Sequence, residues 1–158
     1  MEKKRFGGLH GGHVSVQIGD SVFSFKFIGK VRVFGAKKNL HHHWITQAMS
    51  AWIQDTINNK YASIVIPLSY DQFAKLKSIQ QSYCGKDPYD YAFLGMRCAA
   101  AVYDVFSQLE FFKPRSRLGM IRSNFYPKML RKRFLKLASN KKWVVLKHDG
   151  SERRKWER

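Results

Sequence analysis

Residues 91–106, Tyr-Ala-Phe-Leu-Gly-Met-Arg-Cys-Ala-Ala-Ala-Val-Tyr-Asp-Val-Phe, constrain this chain more than any other stretch. Gly95 breaks the run. Cys98, Ala101, Val102, Val105, Phe106 and Leu109 then recur at helical spacing, so a long apolar helix begins at the cysteine. A helix this apolar has to be central to the core. A thiol in its first turn meets unpaired backbone N–H groups and the positive end of the helix dipole. That setting is expected to lower the thiol pKa and favour the thiolate nucleophile. The same N–H groups suit a developing oxyanion. The plainer alternative is a small buried cysteine, a common fate of free Cys.

A second stretch gives the thiol a partner. Val14, Val16 and Ile18 alternate with His13, Ser15 and Gln17, Gly19-Asp20 signals a turn, and residues 22–28 resume a β-rich run. This reads as a hairpin spanning residues 13–18 and 21–28 with His13 at its head. A base on a strand facing a thiol at a helix start is the arrangement of a Cys-His pair.

With Gly12-His13-Val14, the Gly19-Asp20 turn, Tyr91 and the helix-starting Cys98 in this order, the chain resembles the circularly permuted papain-like hydrolases. These comprise permuted NlpC-type cell-wall peptidases and lecithin:retinol acyltransferase-like proteins. Ile66-Pro-Leu-Ser-Tyr-Asp-Gln-Phe73 is similar to the strand and capped helix that commonly precede the Cys helix there. The resemblance covers roughly residues 9–112. It implies an α+β, permuted papain-like fold, with an antiparallel sheet packed against a central Cys-bearing helix. It also implies Cys98 as nucleophile, His13 as base, no cofactor and no metal. The family usually carries a third polar residue on the second strand; the matching position falls at Phe25, with Ser24 facing the other way. Arg97 stands where many relatives have Asn, and Ala99-Ala100 where Thr or Ser is common. His41 or His43 could supply the missing orienting group, and Tyr89 and Tyr91 would line the site entrance. The alternative for both tyrosines is packing at the core edge.

The chain has 158 residues, enough for one domain with a core. Two cysteines, Cys84 and Cys98, make no disulfide framework. Cys84 sits at a helix end, where the dipole disfavours a thiolate. A basic start without an apolar run reads as no signal peptide. No run of 18 apolar residues suggests a membrane span, so the expected location is cytoplasmic. Three adjacent histidines, His41 to His43, cannot all reach one ion from regular structure.

The formal charge of +18 is unevenly spread. Residues 113–158 hold 16 Lys/Arg against three acids; residues 1–112 hold 13 against eight. The expected organisation is a papain-like core over 1–112 and a basic helix-strand extension over 113–158, packed on the same domain. Such a field attracts nucleic acid, anionic lipid or cell-wall polymer.

Further along, residues 31–34 are read as extending the sheet and residues 45–58 as a helix or mixed segment. Tyr61 to Ile66 reads as a buried strand. Ser69 and Gln72 form a capping box, and Asp87-Pro88 caps a short helical turn. Lys113 to Arg117 is a linker. From Pro127 a basic amphipathic helix places Arg131, Lys132, Arg133 and Lys136 opposite an apolar face, as candidates for contact with an anionic surface. Residues 143–146 read as a last strand.

The reading that joins these features is a cysteine hydrolase cleaving an amide or ester, in a peptide or lipid amide, through a thioester. Two alternatives stand beside it: an inactive papain-like scaffold, and a binder of nucleic acid or an anionic surface through the basic region. The nucleic-acid alternative lacks a recognised motif.

Overall fold

The computed structural model describes residues 12–28, 32–35 and 42–149. It is an α+β protein in which two small antiparallel sheets flank a group of helices. Strands β1 (Ser15–Ile18) and β2 (Ser21–Phe25) form the expected hairpin, with Gly19 at φ +59° in the turn, but both are shorter than expected: His13 and Val14 precede β1, and residues 26–28 follow β2 outside the ladder. Glycine takes that left-handed conformation without the Cβ clash that other residues meet. Ser15 pairs with Ser24 and Ile18 with Ser21. Strand β3 (Trp44–Ala48) then pairs with β2, Phe25 opposite Trp44.

This corrects two expectations. Residues 32–35 are not a strand, and the third strand lies instead in the segment read as helix or mixed. Only Met49–Thr56 of that segment is helical (α1), and none of its residues is buried. Apolar residues at Ile45, Met49, Trp52 and Ile53 suit a helical face, but the β2 ladder takes the first of them. Cross-strand pairing overrides a short run of helical spacing.

Paired residues share a face, so Val16, Ile18, Phe23, Phe25 and Trp44 meet the helices. Phe23 stacks on Trp44 at 4.1 Å, and both are buried. Burying one such ring contributes about 1.5–3 kcal/mol, so this face fixes the register: a one-residue slip would turn its rings to the opposite side.

Helix α2 (Tyr70–Gly85) starts at the expected capping box: the Gln72 N–H donates to Ser69 Oγ and the Ser69 N–H to Gln72 Oε1. Helix α3 (Cys98–Gln108) is buried almost all round, including Cys98, Ala99, Ala100 and Ala101. The alanines let neighbouring chain approach closely. Gln72 Nε2 also donates to the Leu109 carbonyl, tying the start of α2 to the end of α3.

The segment read as a linker leads into a helix the periodicity did not reveal, α4 (Arg117–Ser123), capped by Ser116. Helix α5 (Pro127–Lys141) begins at proline as expected and buries Leu130, Phe134 and Ala138 against the core. Strand β5 (Val145–His148) starts two residues later than expected. It pairs with β4 (Tyr61–Ile64), which is only partly buried. The basic third of the chain thus joins both α3, through α5, and β4.

Candidate functional site at the start of helix α3

Arg97 is extended (φ −129°, ψ 171°) and the Ala101 N–H donates to its carbonyl, which opens α3 at Cys98. The Cys98 sulfur is buried, and the backbone N–H groups of Val14, Ala99 and Cys98 itself lie close enough to favour its thiolate. That proximity brings the sulfur to the residue that follows His13, just before β1. Sequence spacing alone could not show that contact.

The thiol does not have the expected depressed pKa. Burial pushes it up, and this outweighs the lowering by the Val14 N–H, the Arg97 charge and the N–H groups of Ala99 and Cys98. Helix-start stabilisation of a thiolate loses here to desolvation.

His13 is shifted the other way. Desolvation, with the Lys26 charge adding to it, brings its pKa from 6.5 down to about 4. His13 keeps an exposed flank although the chain crowds around it, so solvent moderates the size of the shift and leaves its direction. At neutral pH the resting groups are therefore a neutral imidazole and a protonated thiol.

Continuing the β1–β2 register one pair beyond Val14–Phe25 sets Lys26 opposite His13. Lys26 Nζ also donates to Gln47 Oε1 at 2.6 Å. Phe25, at the position of the family's orienting group, is fully buried and apolar. It stacks on Tyr91 (5.3 Å, 25°) and meets Tyr89 edge-on at 5.3 Å. Ser24 faces the other side of the sheet and donates to Ser15 Oγ at 2.8 Å.

His41 lies outside the described residues. His43 is buried; its Nδ1 is 3.0 Å from the Lys26 carbonyl and its ring lies edge-on to Phe25 at 5.7 Å. Asp87 does not cap a helix. Its carboxylate accepts the backbone N–H groups of His43 and Trp44, holding the start of β3.

The two tyrosines differ. The Tyr89 hydroxyl donates to Asp104 on α3, which also accepts from Tyr83. Burial, with the Asp104 charge adding to it, holds Tyr89 well above its ordinary pKa. Tyr91 stands near the thiol: burial raises its pKa and Cys98 raises it further, while the neighbouring Arg97 side chain and charge lower it.

Sequence reasoning missed the surroundings of Arg97. Its guanidinium carbon lies 4.8 Å from the Phe125 ring, 5.5 Å from Phe93 and 5.8 Å from Tyr126. The only signal was the four-residue spacing of Phe93 and Arg97; the other two rings come from the α4–α5 connection. Gly12 passes close to Pro127 at the head of α5, where an added Cβ would lie 3.5 Å from the proline. The site thus has the hairpin on one flank and residues 125–127 on another.

Cys84 ends α2, with its sulfur 3.4 Å from Thr46 Oγ1. Both cysteines are free. Among the described residues no three His, Cys, Asp or Glu side chains converge as metal ligands, and no helix is long and apolar enough to cross a membrane. Of the basic candidates on α5, Lys132 and Lys136 are exposed and Arg131 is half-buried. Arg133 turns inward, over the Tyr103 ring at 5.8 Å and 3.5 Å from the Ser123 carbonyl, so it is a structural contact. No protein-family model, curated protein or solved structure matches the chain.

Proposed function

We propose that the protein is a cysteine hydrolase of permuted papain-like fold, acting on an amide or ester in a peptide or lipid amide. The observation that supports the reading is the Val14 N–H lying close enough to the buried Cys98 sulfur to favour its thiolate, which brings a helix-starting thiol near the residue that follows His13, just before β1. Neutral His13 takes the thiol proton as sulfur attacks the carbonyl carbon. The C–S bond forms and the carbonyl π electrons move to oxygen, where N–H groups at the start of α3 receive them. Collapse expels the amine or alcohol, which takes the proton from His13. Water, activated by His13, then cleaves the thioester.

A second reading, an inactive scaffold, is favoured by Phe25 at the orienting position and by the raised thiol pKa. Incubation with p-nitrophenyl acetate followed by intact and peptide mass analysis separates the two. An acetyl thioester on Cys98, absent from Cys98→Ala, supports the hydrolase. An unmodified Cys98, or acetylation of Cys84 alone, overturns it.

A further inference from the structure

Three short segments carry exposed apolar side chains: Phe27 and Ile28, Val33 and Phe34, and Phe93 and Leu94 in the turn before Cys98. Phe34 is 70% exposed, Phe93 54% and Val33 52%. They form one patch. The Phe93 N–H donates to the Arg32 carbonyl and the Leu94 N–H to that of Val33, which binds two segments side by side. Phe27 meets Tyr91 edge-on at 5.8 Å, which joins the third. None of these six belongs to a strand or helix.

Single exposed apolar residues are ordinary on a protein surface, whereas six neighbouring ones mark an interaction face. The charge around them says what kind of face. Between residues 21 and 48 the chain has five Lys/Arg and no acid. Arg32 lies inside the patch, 3.3 Å from Asp90. Aromatic and aliphatic loop tips in a stretch of sequence that carries basic residues and no acid suit the headgroup boundary of an anionic bilayer, where apolar burial and attraction to acidic lipid act together. The net charge of +18 strengthens the same attraction.

We propose that this face docks the protein on an anionic lipid surface, with the start of α3 turned toward the membrane. Docking needs no turnover, so it stands or falls separately from the hydrolase reading, and Cys98→Ala should dock as the wild type does.

The test is co-sedimentation of the full chain with phosphatidylcholine vesicles, with and without phosphatidylserine, at physiological ionic strength. The variant is Phe34→Ser with Leu94→Ser, which leaves the charge unchanged. The expected result is binding that requires phosphatidylserine and falls about tenfold in the double variant. Should the double variant fail to fold by circular dichroism, Phe34→Ser alone is expected to give a partial loss. No sedimentation with phosphatidylserine vesicles, equal binding to neutral vesicles, or undiminished binding of the serine variants would each overturn the proposal. The last outcome would assign attraction to charge alone, as in nucleic-acid binding through the basic third of the chain.

Discussion

The backbone N–H of Val14 lies close enough to the sulfur of Cys98 to favour its thiolate, bringing the chain just before the outer strand of the three-stranded sheet to the first turn of α3. Around this contact one group is pushed toward neutrality by burial and the other is held neutral by burial and a nearby cation. In the proposed mechanism the two rest as thiol and imidazole, and the proton moves only when substrate is attacked.

Arg97 lowers the pKa values of Cys98 and Tyr91 while its guanidinium rests among three aromatic rings. Arg97→Met keeps the length of the side chain and removes the charge. The thiol pKa should then rise further, and iodoacetamide alkylation of Cys98 near pH 8 should slow several-fold. An unchanged rate in a folded variant would mean that the charge does not reach the sulfur.

Gly95 is required by a close approach. A Cβ there would lie 2.9 Å from the Ala92 Cβ, inside a turn closed by the Gly95 N–H to the Ala92 carbonyl. Gly95→Ala should cost about 1–3 kcal/mol in urea unfolding. Adding Ala92→Gly should recover part of that loss. Strict additivity of the two changes would show that the clash is not the cause.

Asp87 is buried and its carboxylate accepts two backbone N–H groups at the start of β3. Asp87→Ala strands both donors, and unfolding should become easier by about 2–4 kcal/mol. A change below about 0.5 kcal/mol would place the partners of these N–H groups elsewhere.

His13 links stability to pH. Its folded pKa lies below its unfolded one, so the unfolded chain binds more protons between the two values. The site costs nothing above about pH 7.5, and stability falls as pH drops through 6.5 toward 4, less steeply than full burial would give because His13 keeps an exposed flank. His13→Gln should therefore lose less melting temperature than the wild type between pH 7.5 and pH 5. Equal losses would show that His13 is not desolvated in the folded state.

The hairpin, the capping box of α2, the proline start of α5 and the position of Cys98 at a helix start were legible because each rests on local spacing. Strand β3 was not: Trp44–Ala48 is chosen by pairing with β2, a nonlocal contact. Helix α4 is seven residues long and too short for a periodic signal. At the site, Cys98 and His13 stood out by residue type and context. Three features did not: the rings around Arg97, the Lys26 charge beside His13, and the burial that raises the thiol pKa. Phe125, Tyr126 and the segments that bury the thiol are distant in sequence, and Lys26 meets His13 only once the hairpin register is set. Asp87 looked like a helix cap because Asp-Pro commonly is one, yet its carboxylate serves another strand.

The central claim is that Cys98 and His13 react as a pair, and the most direct measurement is the pre-steady-state rate of Cys98 acetylation by p-nitrophenyl acetate against pH. Wild type, His13→Ala and Cys98→Ala would be compared. The account predicts a wild-type rate that is level through neutral pH and falls only as His13 is protonated, at a pKa below the ordinary 6.5. In His13→Ala the neutral-pH rate should drop about 100-fold or more and climb with thiol ionisation at alkaline pH. Equal rates and equal pH profiles in wild type and His13→Ala would contradict it and leave Cys98 a buried structural cysteine.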